Sequence, residues 1–316
     1  MRLQDFLNAE VKYSMDAIAK DPDLTAQVQV RLIALGLLDP PIGKFGPISS
    51  QALKNFQEIM QSGEPDYLGK VTAEQLIETK TETIQKKLPP LKLEGQDLAT
   101  RIAKYMQKKN YTISTGPNEM NIVYVEGMNT DGTLNSDAPN EFNDLRLVFE
   151  VKNGKPQIVG KWEATTEPGT HYTQSPMNAG GAARIKFGQY KAWRFGLHGV
   201  SVPHRALVQV SPVSVHRDAN KDYSRSGDFI DTGIFAINQH WGYDYPRNDV
   251  NMAGAGCLVG RRTAGHQEFL KIIERDPRYL ATPLGAPIFP GDPRERTYVF
   301  VTTILAGDDL EKEFPG

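Results

Sequence analysis

Apolar residues in the first third of the chain recur at steps of three and four, whereas beyond residue 120 they alternate or form short runs. That change of period predicts helices first and strands afterwards. Leu3, Phe6, Leu7, Val11, Met15 and Ile18 share one helical face, which predicts an amphipathic helix over 1–20 packed on the next domain. Lys and Arg are too few there for a membrane-surface helix. Thr25 is read as the N-cap of a second helix, with Val28, Leu32 and Leu35 inward and Gly36 as its stop. PPIGKFGP (40–47) is a tight loop, after which Ser49 or Ser50 opens a helix burying Ala52, Leu53 and Phe56. A shorter echo runs from Gly69 through Thr72 to Leu76.

Residues 79–96 mix charges, carry Pro89–Pro90 and show little apolar periodicity, as a linker does. A helix is expected over Asp97–Lys109 on Leu98, Ile102 and Met106, and another over Gly265–Asp276 on Phe269, Ile272 and Ile273. Strands are expected at Asn121–Glu126, Leu145–Val151, Gln157–Trp162, Leu207–His216, Gly233–Gln239 and Thr297–Ile304, with a polar loop over 129–144. The fold class is therefore multidomain α + β: a small helical domain over 1–78, a linker over 79–96, and a mostly β domain of sandwich or barrel character over 97–316.

Composition narrows the function. A chain of 316 residues, 39% hydrophobic, fits two domains with sizeable cores. A net charge of −2 gives no basic face for nucleic acid. No run of 18 apolar residues suggests a membrane span. A single cysteine forms no internal disulfide. Asp5, Glu10, Lys12 and Asp16 interrupt any apolar run at the start, so no secretory signal is expected. On that reading the chain is made in the cytoplasm and acts elsewhere after release or non-standard export.

The single cysteine, Cys257, lies seventeen positions beyond His240 and directly after Gly254, Ala255 and Gly256. A free thiol has a pKa near ~8.5, so only about 3% is thiolate at neutral pH. A neighbouring imidazole can take the proton, and a helix start favours the anion. Small residues before the sulfur let backbone N–H groups approach a substrate carbonyl. The competing reading of a lone cysteine is a small buried hydrophobe.

Two resemblances bear on this choice. Gln29, Leu32, Leu35, Gly36, then Gly43, Phe45, Gly46, Pro47, then Ala52, Phe56 and Gln57 resemble the three-helix peptidoglycan-binding domain over about 24–78. Ile42 stands where that family usually has Asp. The stretch from His240 to Cys257 resembles the L,D-transpeptidase catalytic domain, whose signature is a His, some 14–17 residues, then Ser/Thr-His-Gly-Cys. Here thirteen residues separate His240 from Gly254, and Gly256 and Cys257 match outright. Gly254 stands at the Ser/Thr, Ala255 at the second His, and Val259 at the usual Asn/Arg. The resemblance implies that Cys257 is acylated, that His240 is its base, and that the substrate is a stem-peptide amide of peptidoglycan.

Around this pair, Arg261 or Arg262 could hold a peptide carboxylate or lie in a solvated loop. His198, His204 and Trp241 could border a substrate cleft, and Tyr190 and Trp193 a groove or the core. TTEPGTHYT (165–173) loosely resembles a segment preceding that family's cleft. No His-x-His or His-Glu-x-x-His suggests zinc. Asp218, Asn220 and Asp222 match the first half of a calcium loop, but Tyr223 replaces its glycine and Phe229 its last Glu, so a plain hydrophilic hairpin competes. The leading expectation is a peptidoglycan-acting cysteine enzyme, transferring or hydrolysing, with no cofactor beyond a possible calcium. The alternatives are a non-catalytic wall-binding or assembly protein, and a metal-dependent amidase or peptidase.

Overall fold

The computed structural model describes residues 1–35, 37–38, 42–87, 90–288 and 291–316. Gly36, Pro40, Pro41 and Pro89, read above as turn and linker residues, lie outside the described residues. The chain divides into two compact units: Met1–Leu91 with Gly116–Glu119 and Asp276–Pro283, and Lys92–Thr115 with Met120–Arg275 and Leu284–Gly316.

In the first unit, residues 1–20 do not form the single helix expected from their periodicity. A 3-10 turn, Leu3–Leu7, is closed by the Asp5 carboxylate accepting from the Arg2 N–H at 2.8 Å. Strand β1, Tyr13–Ser14, then pairs antiparallel with β2, Tyr67–Leu68. The Ser14 hydroxyl starts a short helix, α1, Met15–Ala19, by accepting from Ala17 N–H. The apolar residues are still buried or half-buried, but by three local pieces. Helix α2, Pro22–Ala34, begins ahead of Thr25, because Asp21 accepts from Leu24 N–H at 3.0 Å and Pro22 fits the first turn. Thr25 instead donates its hydroxyl to the Ile18 carbonyl. Helix α3, Pro47–Met60, likewise starts at its proline and not at Ser49 or Ser50. Helix α4, Lys70–Glu78, follows, and α5, Thr81–Lys87, occupies part of the stretch read as a linker. Its Ile84 reaches the core formed by Val28, Leu32, Leu53, Phe56 and Leu76.

Two buried glutamines tie the helices to their turns. Gln29 donates to Ser49 Oγ at 2.8 Å and accepts from Gly43 N–H at 2.9 Å. Gln57 donates to the Tyr67 carbonyl at 2.7 Å and to Thr72 Oγ1 at 3.2 Å. The side chain of Glu64 collects the free N–H groups of Gly69, Val71 and Thr72 at the start of α4.

The second unit opens with α6, Leu98–Lys108, capped by Asp97. Its strands are β3 Asn121–Glu126, β4 Asp144–Lys152, β5 Lys155–Thr165, β6 Ala182–Ile185, β7 Gly188–His198, β8 His204–Gln209, β9 Val213–Asp218, β10 Phe229–Gly233, β11 Gln239–Trp241, β12 Leu258–Gly260 and β13 Phe300–Ala306. Helix α7, Thr170–Gln174, precedes β6, and α8, Thr263–Ile273, follows β12. Eight strands close a barrel in the order β11-β12-β5-β4-β3-β13-β7-β8, and β10-β9-β6 form a separate three-stranded sheet. Tyr124, Gln239 and Thr302 meet across the barrel: Gln239 donates to Thr302 Oγ1 at 2.8 Å and accepts from Tyr124 at 3.4 Å.

Several boundaries differ from expectation for local reasons. The segment 207–216 is two strands in different sheets, because Pro212 in its middle lacks an N–H to continue a ladder. The strand expected over Gly233–Gln239 breaks at Ala236, which has φ +60°, and the N–H groups of Phe235 and Ile237 donate to the Gln209 side chain instead of a strand. Helix α8 stops at Ile273, and Pro277 begins another short helix, Pro277–Ala281, capped by Asp276. Among the described residues no helix is long and apolar enough to cross a membrane.

Replacing Gln29 with Ala removes an amide from between two buried partners and leaves the Gly43 N–H without its acceptor. The substitution should cost about 2 kcal/mol of stability by urea unfolding. An unchanged midpoint would show that Gln29 does not hold this turn.

Candidate active site

Strand β11 runs parallel to β12, with Gln239 opposite Leu258 and His240 opposite Val259. The Leu258 N–H donates to the Asn238 carbonyl at 2.9 Å, extending the pairing back to Cys257. Side chains of directly opposed residues share a face, and so do alternate residues along a strand. His240, Val259 and Cys257 therefore project from one face. Val259 and Cys257 pack there with Phe142, Val250 and Ala253.

The loop between the two strands is fastened along its length. Phe142 N–H donates to the Arg247 carbonyl, Val250 N–H to the Asn140 carbonyl, and Gly169 N–H to the Gly254 carbonyl. Gly256 has φ +111°, and a Cβ there would lie 2.3 Å from the Ala183 carbonyl oxygen. Backbone conformation and steric contact thus both demand glycine immediately before the sulfur.

Four of the six histidines, His240 among them, gather near one another. The rings of His198 and His240 stack at 3.8 Å, and His204 lies 5.4 Å from His198 and 5.9 Å from His240. Trp241 stacks on His204 at 3.8 Å, and His266 lies 6.3 Å from it. Their partners identify the tautomers. His240 Nδ1 lies 2.7 Å from the Trp241 carbonyl oxygen, which can only accept, so Nδ1 carries the proton and Nε2 the lone pair. His204 is the same, through the Val202 carbonyl at 3.0 Å. His198 Nδ1 faces the Asn238 amide nitrogen at 2.9 Å and so accepts. His266 accepts from the buried Arg146 guanidinium at 3.2 Å and donates from Nε2 to the Arg205 carbonyl. Burial holds all four neutral: His198 is pushed down to about 4, His204 is lowered, and His240 and His266 fall well below their ordinary value.

The thiol is not the activated group its neighbours suggested. Cys257 is 8% exposed, and burial pushes its pKa up to about 11. Its Sγ accepts from Asn238 N–H at 3.4 Å and donates to the Ala236 carbonyl at 3.5 Å. Among the described residues no hydrogen bond joins Cys257 to His240. The imidazole and the thiol are both neutral at rest, and each is held by backbone groups.

The remaining residues singled out in the sequence fall as follows. Arg261 is committed: its Nε donates to the Tyr245 carbonyl at 3.1 Å and its Nη1 to Glu163 at 2.5 Å. Arg262 is exposed, and among the described residues its ion-pair partner is Asp244 at 3.9 Å. Trp193 is core, its indole N–H donating to the Ile237 carbonyl. Asp218 is spent on the loop itself, accepting from the N–H groups of Asp222 and Tyr223, while Asn220 donates to Asp222. Among the described residues no group of three or more His, Cys, Asp or Glu is placed to hold a metal. Arg146 and His266 went unnoticed because nothing near them in sequence marks them. They reach the site only through the barrel.

No protein-family model matches the chain, and no curated protein matches it. One solved structure overlaps 94% of this chain and 100% of its own, at 12% identity and a TM-score of 0.25: a fused Zn-dependent amidase/peptidase/peptidoglycan-binding domain-containing protein from Clostridium acetobutylicum. A likeness that loose carries no argument about this chain.

Two outcomes check the geometry. With a thiol pKa near 11, alkylation of Cys257 in the folded protein should rise about tenfold per pH unit well past 8.5. A plateau near neutrality would show an activated thiolate instead. Gly256→Ala should lower stability by about 2–4 kcal/mol, measured by urea unfolding, because the turn must shift away from Ala183.

Proposed function

We propose that this protein is a peptidoglycan-acting enzyme that attacks a stem-peptide amide through Cys257, with His240 as general base. The observation that carries the reading is the donation from His240 Nδ1 to the Trp241 carbonyl, which leaves Nε2 as the basic nitrogen of a residue that pairs with Val259, two positions from Cys257. The stacked His198 ring restrains His240 further. Because both groups rest neutral, the thiol proton passes to Nε2 as the sulfur–carbon bond forms, and no thiolate accumulates beforehand. Backbone N–H groups around Gly256 and Cys257 stabilise the oxyanion. As the carbon–nitrogen bond breaks, the leaving amine takes the proton from Nε2. Water or a second amine then resolves the thioester, giving hydrolysis or transfer. The sulfur must first exchange its two backbone contacts for substrate.

The substrate class rests on the two sequence resemblances, which share one polymer. The helical unit would hold the wall while the barrel acts on the peptide. Arg262, exposed and loosely paired, is the better of the two arginines for a substrate carboxylate. The site of action would be the cell wall, reached after release or non-standard export.

One observation favours a different reading. A cysteine 8% exposed among Phe142, Val250 and Val259 is also what an inert packing residue looks like, and the protein would then bind wall without turning it over. Purified peptidoglycan separates the two. Cys257→Ala should abolish release or cross-linking of stem peptides, and His240→Ala should reduce it about 100-fold or more. With His240 held well below 6.5, the parent rate should not fall as pH drops through that value. Cys257→Ala activity equal to the parent would exclude the thiol mechanism. Wall binding without turnover by the parent would establish the second reading.

A further inference from the structure

His198 and His240 stack with their ring centroids 3.8 Å apart and their planes 13° from parallel. His198 closes β7, and the hairpin after it, 199–203, is exposed throughout, so the ring stands at the surface end of its strand and is itself only half-buried. One residue ties that ring to the sulfur. Asn238 donates its backbone N–H to Cys257 Sγ at 3.4 Å, and its side-chain amide meets His198 Nδ1 at 2.9 Å.

The direction of this last bond is fixed from the neighbouring strand. Gln209 N–H, which can only donate, reaches Asn238 Oδ1 at 2.9 Å, so the end of the amide that faces His198 is its NH2 group. His198 Nδ1 therefore accepts, and in a ring that burial keeps neutral the proton sits on Nε2. His240 is the reverse, with its proton on Nδ1 at the Trp241 carbonyl. The stacked rings thus differ at the same atom: Nε2 of His240 accepts, and Nε2 of His198 donates. Among the described residues neither Nε2 has a hydrogen-bond partner, and neither is sealed from solvent, in contrast to His204 Nε2, which is buried without one. Because each Nε2 lies on the rim of its own ring, a stack this close brings both within reach of one bound group.

We propose that His198 is a second catalytic histidine, donating a hydrogen bond from Nε2 to the carbonyl oxygen of the amide that Cys257 attacks. The inference rests on the thiol reading. Negative charge develops on that oxygen as the sulfur–carbon bond forms, and a fixed neutral imidazole donor stabilises it. The proton stays on His198 throughout, while the thiol proton passes to His240 Nε2 and then to the leaving amine. A side-chain donor has work to do here, because two nearby backbone donors are already taken: Leu258 N–H by the Asn238 carbonyl and Asn238 N–H by the sulfur.

Three variants of the full chain are compared with the parent on purified peptidoglycan, each checked for an unchanged circular dichroism spectrum and melting temperature. His198→Phe keeps a ring to stack on His240 but has no N–H. His198→Gln restores an amide N–H near the place of Nε2. Cys257→Ala lacks the nucleophile and should be inactive. His198→Phe should lower kcat about 100-fold with KM changed by less than about threefold, and His198→Gln should recover about tenfold of that loss. In the parent labelled with nitrogen-15 histidine, NMR should place the His198 proton on Nε2, a result that stands whether or not the variants fold. A folded His198→Phe with a kcat within about threefold of the parent, while Cys257→Ala is inactive, would overturn the donor and leave the thiol mechanism standing. Equal losses in folded His198→Phe and His198→Gln would assign the ring to packing and overturn it too. A His198 proton found on Nδ1 would do the same, whatever the turnover. Full activity in Cys257→Ala, or none in the parent, removes the thiol reading and this inference with it.

Discussion

The parallel pairing of Gln239–Trp241 with Leu258–Gly260 is the contact on which the face bearing His240 and Cys257 depends. Each strand has only three residues, too few to hold themselves. Parallel neighbours need a crossover, and here it is a loop without a helix of its own. The pairing survives because the loop is borrowed into its surroundings. Asn140, Phe142 and Gly169 supply backbone bonds to it, Gly242 N–H reaches the Gly260 carbonyl at 2.7 Å, and Gly260 accommodates the Arg146 guanidinium where a side chain would collide. Once the register is set, the positions of His240, Val259 and Cys257 follow.

The sequence disclosed periodicity and punctuation well, and three-dimensional convergence poorly. Val28, Leu32, Leu53 and Phe56 stand in the helical core as their spacing implies, and the shift to strands after residue 120 is real. The errors arise where one side chain overrules a local pattern: Asp21 starting a helix ahead of Thr25, Ser14 cutting the first twenty residues, Ala236 at positive φ ending a strand. His240 and Cys257 are linked in the sequence through the spacing of the family they resemble. The chemical state of Cys257 is not legible there, because it depends on Val250, Phe142 and Val259 covering the sulfur. The ion pairs of Arg225 with Glu126 and of Arg184 with Glu167 left no local trace, since their members are dispersed along the chain.

The barrel therefore carries two neighbouring electrostatic regimes. Around His240, burial keeps the four histidines and Cys257 uncharged, and the fully buried Arg146, lying over the Phe269 ring at 4.3 Å, carries a charge among them. Around Glu126, opposing charges are crowded together and partly compensated. β6 lies between them, its Ala183 carbonyl against the turn that precedes Cys257 and its Arg184 side chain in the ion cluster.

The neutral histidines also give the barrel a particular response to acid. Folding holds them below 6.5, so as pH falls through that value the unfolded chain takes up protons that the folded chain refuses, and stability drains away, on the part of His198 until about pH 4. Glu167 acts in the opposite sense. Burial raises it from 4.5 to about 7, so over much of the same interval the folded chain binds its proton first and gains stability as pH falls. Acid tolerance in this barrel is thus a contest between imidazoles and carboxyls placed on either side of one short strand.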